Sequence, residues 1–144
     1  MTDVAQRVGE PDAVQYINPP TMMASQAFSQ VVVVSGSAKM VYIGGQNTVD
    51  ASGALVGEGD IAAQADQVFV NLQAALAAGG ASLEHVIRWT IYIVQGQPLA
   101  PGFAAFRRVW GDRPNPPTIV AIFVAGLGNP AYLLELDAIA AVPQ

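Results

Sequence analysis

Two apolar runs near the C-terminal end constrain this chain more than any other feature. Thr118-Ile119-Val120-Ala121-Ile122-Phe123-Val124-Ala125 enters from Asn115-Pro116-Pro117 without a charged residue, a turn occupies Gly126 to Pro130, and a second run extends from Leu133 to Val142. Apolar stretches of this length, rich in β-branched residues and bounded by Pro and Gly, read as sheet strands. Only Glu135 and Asp137 interrupt the second run. Side chains alternate along a strand, so these two carboxylates share one face. An ionised carboxylate among apolar neighbours is costly unless it is paired, hydrogen-bonded or used. Glu135 is therefore the first candidate for chemistry. An ion pair with one of the few arginines, or exposure at a sheet end, explains the pair equally well.

With 144 residues, one domain over 1–144 is expected. Only 12% of the residues are charged against 52% apolar, about half the charged share of a typical soluble domain (roughly 25%). A short chain has much surface for its volume, so copies of the chain covering one another resolve the shortfall. Net charge is −5, and among six basic residues only Arg107 and Arg108 are adjacent. That leaves no basic patch for a phosphate backbone, and nucleic acid is not expected as a partner. With no cysteine and the single histidine His85, thiolate chemistry and a histidine-rich metal centre are excluded within one chain, and neither metal nor cofactor is expected. The polar N-terminus and the absence of a membrane-length apolar stretch lead to a cytoplasmic expectation with no membrane partner.

The remaining elements follow from periodicity. Short strands are expected at Ala13 to Ile17, Phe28 to Val34 and Met40 to Ile43, the last two spaced as a hairpin. Asp60 is placed to cap a helix carrying Ile61, Ala65, Val68, Leu72 and Leu76 at helical spacing, stopped by Gly79-Gly80. Val86 to Val94 reads as a central strand, apolar on both faces, and Leu99 to Gly111 as a second helix with Phe103, Phe106 and Trp110 on its core side. The order is βββαβαββ, an α+β fold with two helices on one face of a mixed sheet. Its other face is also apolar, which again calls for partner subunits. His85 reads as a solvated loop residue and Arg113 as a surface turn residue. Gly44-Gly45-Gln46 ends a strand. Its glycines either serve a sharp turn or expose backbone N–H groups to a ligand.

Taken together, the chain resembles the reactive-intermediate deaminase (Rid, or YjgF) family from Phe28 to Val142. The marks are Phe28-Ser29-Gln30, Gly45-Gln46, Asp60-Ile61-Ala62-Ala63-Gln64, the stretch Ala77 to Leu83, Asn115-Pro116-Pro117 and Glu135-Leu136-Asp137-Ala138-Ile139-Ala140. The resemblance implies a chorismate-mutase-like homotrimer with sheets facing inward and small-molecule clefts between subunits. It also implies hydrolysis of imines or enamines such as 2-aminoacrylate. Glu135 matches the glutamate thought to position water. Phe28, Gly44, Gly45, Ile119 and Ala121 fall at ligand-binding positions. The family's carboxylate-binding arginine does not carry over: its place reads Ile119. Phe28 lacks the hydroxyl of the usual tyrosine, and Gly44 replaces a serine.

A guanidinium–carboxylate bond is among the strongest recognition contacts, and losing it costs a carboxylate ligand about 2–5 kcal/mol. Efficient 2-aminoacrylate-type deamination is therefore not expected. Two readings stand. In one, Glu135 acts on a neutral or poorly charged imine, enamine or related molecule. In the other, the same fold holds a small metabolite without turnover.

Overall fold

The structure is a computed structural model that describes residues 13–144. The strands are β1 (Val14–Ile17), β2 (Val31–Val34), β3 (Ala38–Gln46), β4 (Val86–Val94), β5 (Thr118–Val124) and β6 (Leu134–Pro143); the helices are α1 (Ile61–Ala78) and α2 (Ala100–Trp110). The element order is the expected βββαβαββ. The pairing corrects one expectation. β2 does not form a hairpin with β3; it pairs antiparallel with β1, Val14 facing Val34 and Ile17 facing Val31, as a separate two-stranded ribbon. Three residues between β2 and β3 looked short enough for a hairpin, but β3 instead takes β6 as its partner, with Tyr42 opposite Ile139.

The main sheet runs β3-β6-β4-β5. It is mixed: β6 is antiparallel to β3 and β4, while β4 and β5 are parallel, joined by the α2 crossover. β6 is therefore central, in keeping with its buried Leu134, Leu136, Ala138, Ala140 and Ala141, and β5 is an outer strand.

Both helices pack on one face. Asp60 caps α1, its Oδ1 accepting from the N–H groups of Ala62 and Ala63. Val68, Leu72 and Leu76 of α1 are fully buried, as are Leu136 and Ala140 of β6. Burying each larger aliphatic side chain contributes about 1.5–3 kcal/mol. Trp89 on β4 is the centre of the other half of the core. Its ring meets Phe69, Phe106 and Trp110 edge to face, with centroids 5.8, 5.3 and 6.0 Å away. Phe106 and Trp110 are core residues as read from sequence, but Phe103 is 41% exposed and carries the Arg107 guanidinium over its ring. Arg108 binds Asp66 of α1 at 2.7 Å, tying the helices together at their outer edge.

Gln64 is buried on α1 and fixes the approach to β6. Its Nε2 donates to the carbonyls of Gly57 and Ala131, both at 3.0 Å, and its Oε1 accepts the Leu133 N–H at 2.8 Å. Leu133 lies two residues before Glu135, so this amide sets the register in which Glu135 enters the sheet.

Candidate functional site

The helix-free face is built by alternation. In the β4–β6 ladder, Tyr92 lies opposite Glu135, Thr90 opposite Asp137 and Arg88 opposite Ile139. Their neighbours Leu134, Leu136 and Ala138 are buried on the helix side, so Glu135 and Asp137 project from the uncovered face. β5 adds Val120 and Ile122 to it, paired with Thr90 and Tyr92. Tyr42 on β3 and Ile122 are 73% and 40% exposed there. The face thus mixes apolar and polar side chains, with the carboxylates at its centre.

Gly44 and Gly45 sit beside those carboxylates. The β3–β6 register passes from Ile43↔Ala138 to Gln46↔Leu136, so two glycines oppose the single residue Asp137 in a β-bulge. A Cβ placed on Gly45 would stand 2.8 Å from Glu135 Cδ and 3.0 Å from its Oε2. Glycine leaves this room open: the Glu135 carboxyl group occupies the space a side chain would take. Glu135 is half-buried, and the bulge holds it against bare backbone.

Next to it, the Tyr92 hydroxyl donates to Asp137 Oδ2 at 3.2 Å. That bond, with the negative charge of Asp137, raises the phenol pKa above its ordinary value. The Tyr92–Asp137 pair is not apparent from sequence alone. The alternation of Arg88, Thr90 and Tyr92 is visible in β4, but which residues of β6 they meet depends on the register. The exposed Arg88 makes no ion pair among the described residues, and it brings a guanidinium to the Glu135 face.

The other anticipated binding residues lie elsewhere. Ile119 is the register partner of Trp89, and Ala121 of Ile91; both belong to the helix side. Phe28 joins them because Ser29 anchors its segment to the entry of β5: the Ser29 N–H donates to Pro117 O at 3.1 Å and its hydroxyl to Pro116 O. Phe28, Ile119 and Ala121 together line a cavity of about 290 Å³ that reaches Trp89 and α2. The structure therefore gathers Glu135, Gly44 and Gly45 on one face, and Phe28, Ile119 and Ala121 on the other.

The structural readings of two further residues are clear. His85 Nδ1 accepts the Ser82 N–H at 3.1 Å and caps the turn before β4. Arg113 donates to the carbonyls of Val109 and Trp110, both at 2.9 Å, and so caps the end of α2.

Fold and face define a small α+β protein whose uncovered sheet holds an acid against a glycine bulge. Residues 19–142 match the family described as Endoribonuclease L-PSP. Protein DfrA of Myxococcus xanthus is 35% identical over 115 residues, covering 78% of this chain and 83% of that protein. A RutC family protein of Pyrococcus horikoshii is 32% identical, covering 72% of this chain and 80% of that one. Among solved structures, a Rid family protein of unknown function from Yersinia pestis superposes with a TM-score of 0.82 at 33% identity, over 90% of this chain and 99% of that one. The chain belongs to the Rid (YjgF) family. No helix among the described residues is long and apolar enough to cross a membrane.

Proposed function

We propose that this chain forms a homotrimer with its uncovered sheet faces turned inward, and that small molecules bind in clefts between copies. Glu135 positions water there for attack on a neutral or poorly charged imine or enamine. The observation that carries this reading is the Glu135 carboxyl group seated on Gly45, central on a sheet face that no helix among the described residues covers. In the reaction, Glu135 takes a proton from water as the water oxygen adds to the imine carbon. It returns that proton to nitrogen, and the resulting carbinolamine collapses to a carbonyl compound and ammonia.

The placement of the binding residues supports a cleft built from two copies. Ile119 and Ala121 are on an outer strand and face away from Glu135. No small ligand spans both faces of one sheet, so a ligand touching Glu135, Gly44 and Gly45 of one copy meets Phe28, Ile119 and Ala121 of another. The cleft takes no metal or cofactor, and its occupant is not nucleic acid, since Arg88 is the one cation of the β4–β6 ladder on the Glu135 face.

A specific observation favours the second reading, a binding protein without turnover: the residues lining the cavity at Phe28, Ile119 and Ala121 include no ionisable side chain. Ammonia release from enzymatically generated iminopyruvate, with wild type and Glu135→Ala side by side, tests the proposal. A small rate lost in the variant supports turnover with poor use of a carboxylate substrate, and identical rates remove that deamination.

A further inference from the structure

The end of α2, the turn after it and the segment from Ser25 to Ala27 enclose a groove of about 880 Å³, within the range of small-molecule sites, roughly 300–1,000 Å³. None of Phe28, Ile119 and Ala121 lines it. Its charge is the reverse of the chain's. Arg107 and Arg113 both line it, two of six basic residues in a chain of net charge −5, against the single acid Asp112. Neither arginine makes an ion pair among the described residues, whereas Arg108, which does not line the groove, is taken by Asp66.

Both guanidinium groups are held in place without being neutralised. Arg107 lies over the Phe103 ring, 4.7 Å from its centroid. Arg113 donates from Nη1 to the carbonyls of Val109 and Trp110, and its own carbonyl accepts the Trp110 indole N–H at 2.7 Å. The Nη2 and Nε donors of Arg113 are left without a partner among the described residues. Donors fixed in advance lower the ordering cost of binding. Phe103, Pro114 and Pro116 add apolar surface to the same groove. We propose that this groove binds a small monocarboxylate with a flat apolar body. The carboxylate oxygens accept from Arg107 and Arg113, a pairing that planar guanidinium groups favour, and the body lies on the apolar surface. Asp112 offsets one of the two positive charges, so the groove balances a single negative charge. The site is separate from the Glu135 face, and the proposal holds whether or not Glu135 supports turnover.

Benzoate and benzamide have nearly the same shape and differ in charge, so they isolate the guanidinium contacts. Titrating benzoate into the nitrogen-15-labelled protein at constant ionic strength should move the backbone amide signals of Gly111 and Asp112 with saturation. Benzamide should bind about tenfold more weakly, the value of a partly solvated charge-assisted contact. Inorganic phosphate, which carries more charge and no apolar body, should also bind more weakly than benzoate. Arg107→Gln should fold, because Arg107 is exposed on α2, and it should lose benzoate affinity about tenfold. Arg108→Gln removes the same charge from outside the groove and should leave that affinity unchanged. Glu135→Gln should change none of these results, so they stand apart from any test of turnover. No saturable shift at Gly111 and Asp112, equal affinity for benzamide, tighter binding of phosphate, or equal losses in Arg107→Gln and Arg108→Gln would each overturn the proposal.

Discussion

The Glu135 carboxyl group occupies the space beside Gly45 into which any larger residue would project, its Cδ 2.8 Å from where a Cβ would stand. Gly45 thus acts on the acid by having no side chain. Gly45→Ala should therefore displace Glu135 while leaving the fold almost intact, because the group that must yield is the end of a flexible side chain. Stability should change by less than about 1 kcal/mol, and any Glu135-dependent turnover should fall about tenfold or more. Urea denaturation and ammonia release, measured on the same preparation, check the two halves separately.

Gln64 holds the entry to β6 with three hydrogen bonds from a fully buried side chain. Gln64→Ala strands the Leu133 N–H and two carbonyls without water to replace the amide. The expected cost is about 2–4 kcal/mol, seen as a lower urea midpoint at unchanged slope. A loss below about 0.5 kcal/mol, within the range of ordinary surface substitutions, would show that the β6 register is set elsewhere.

Two phenols should make the protein sensitive to alkali. Tyr16 on β1 is raised above 10.0 by burial, and Tyr92 by its bond to Asp137 and that residue's charge. A phenol whose folded pKa is raised contributes stability that is intact below the unfolded value, and that contribution is lost as pH rises through the folded value. Urea midpoints should hold to about pH 9.5 and then decline, less steeply in Tyr92→Phe than in wild type. An identical decline in both proteins would remove the Tyr92 contribution.

The exposed Tyr42 and Ile122 on the Glu135 face are expected to be covered by other copies. Light scattering at micromolar concentration should give a trimer mass. Tyr42→Lys, which puts a charge into that interface, should shift the protein toward monomer with little change in its circular dichroism. A wild-type monomer would contradict the assembly.

Much of this fold was legible because its signals are local. Asp60 and Gly79 bound α1 where capping chemistry places them, and β4 spans Val86–Val94 as its apolar run predicts. The pairing of β2 was not legible. Val31–Val34 carries no mark that distinguishes a partner before it from one after it, and the choice of β1 is made by tertiary packing. The site divides in the same way. Glu135 stands out as a charge in an apolar strand, and Gly45 as one of a glycine pair near the end of β3. That Ile119 and Glu135 face opposite ways depends on the register of β4 with both neighbours, and that is a long-range property.

The central claim is that Glu135 activates water for a substrate without a carboxylate. The direct measurement is ammonia release from the neutral imine that an amine oxidase generates from benzylamine, with wild type and Glu135→Gln compared at equal protein. Wild type should accelerate release of ammonia and benzaldehyde above the rate in buffer, and Glu135→Gln should return it to that background. Equal rates in the two proteins, whether both fast or both at background, would contradict the account.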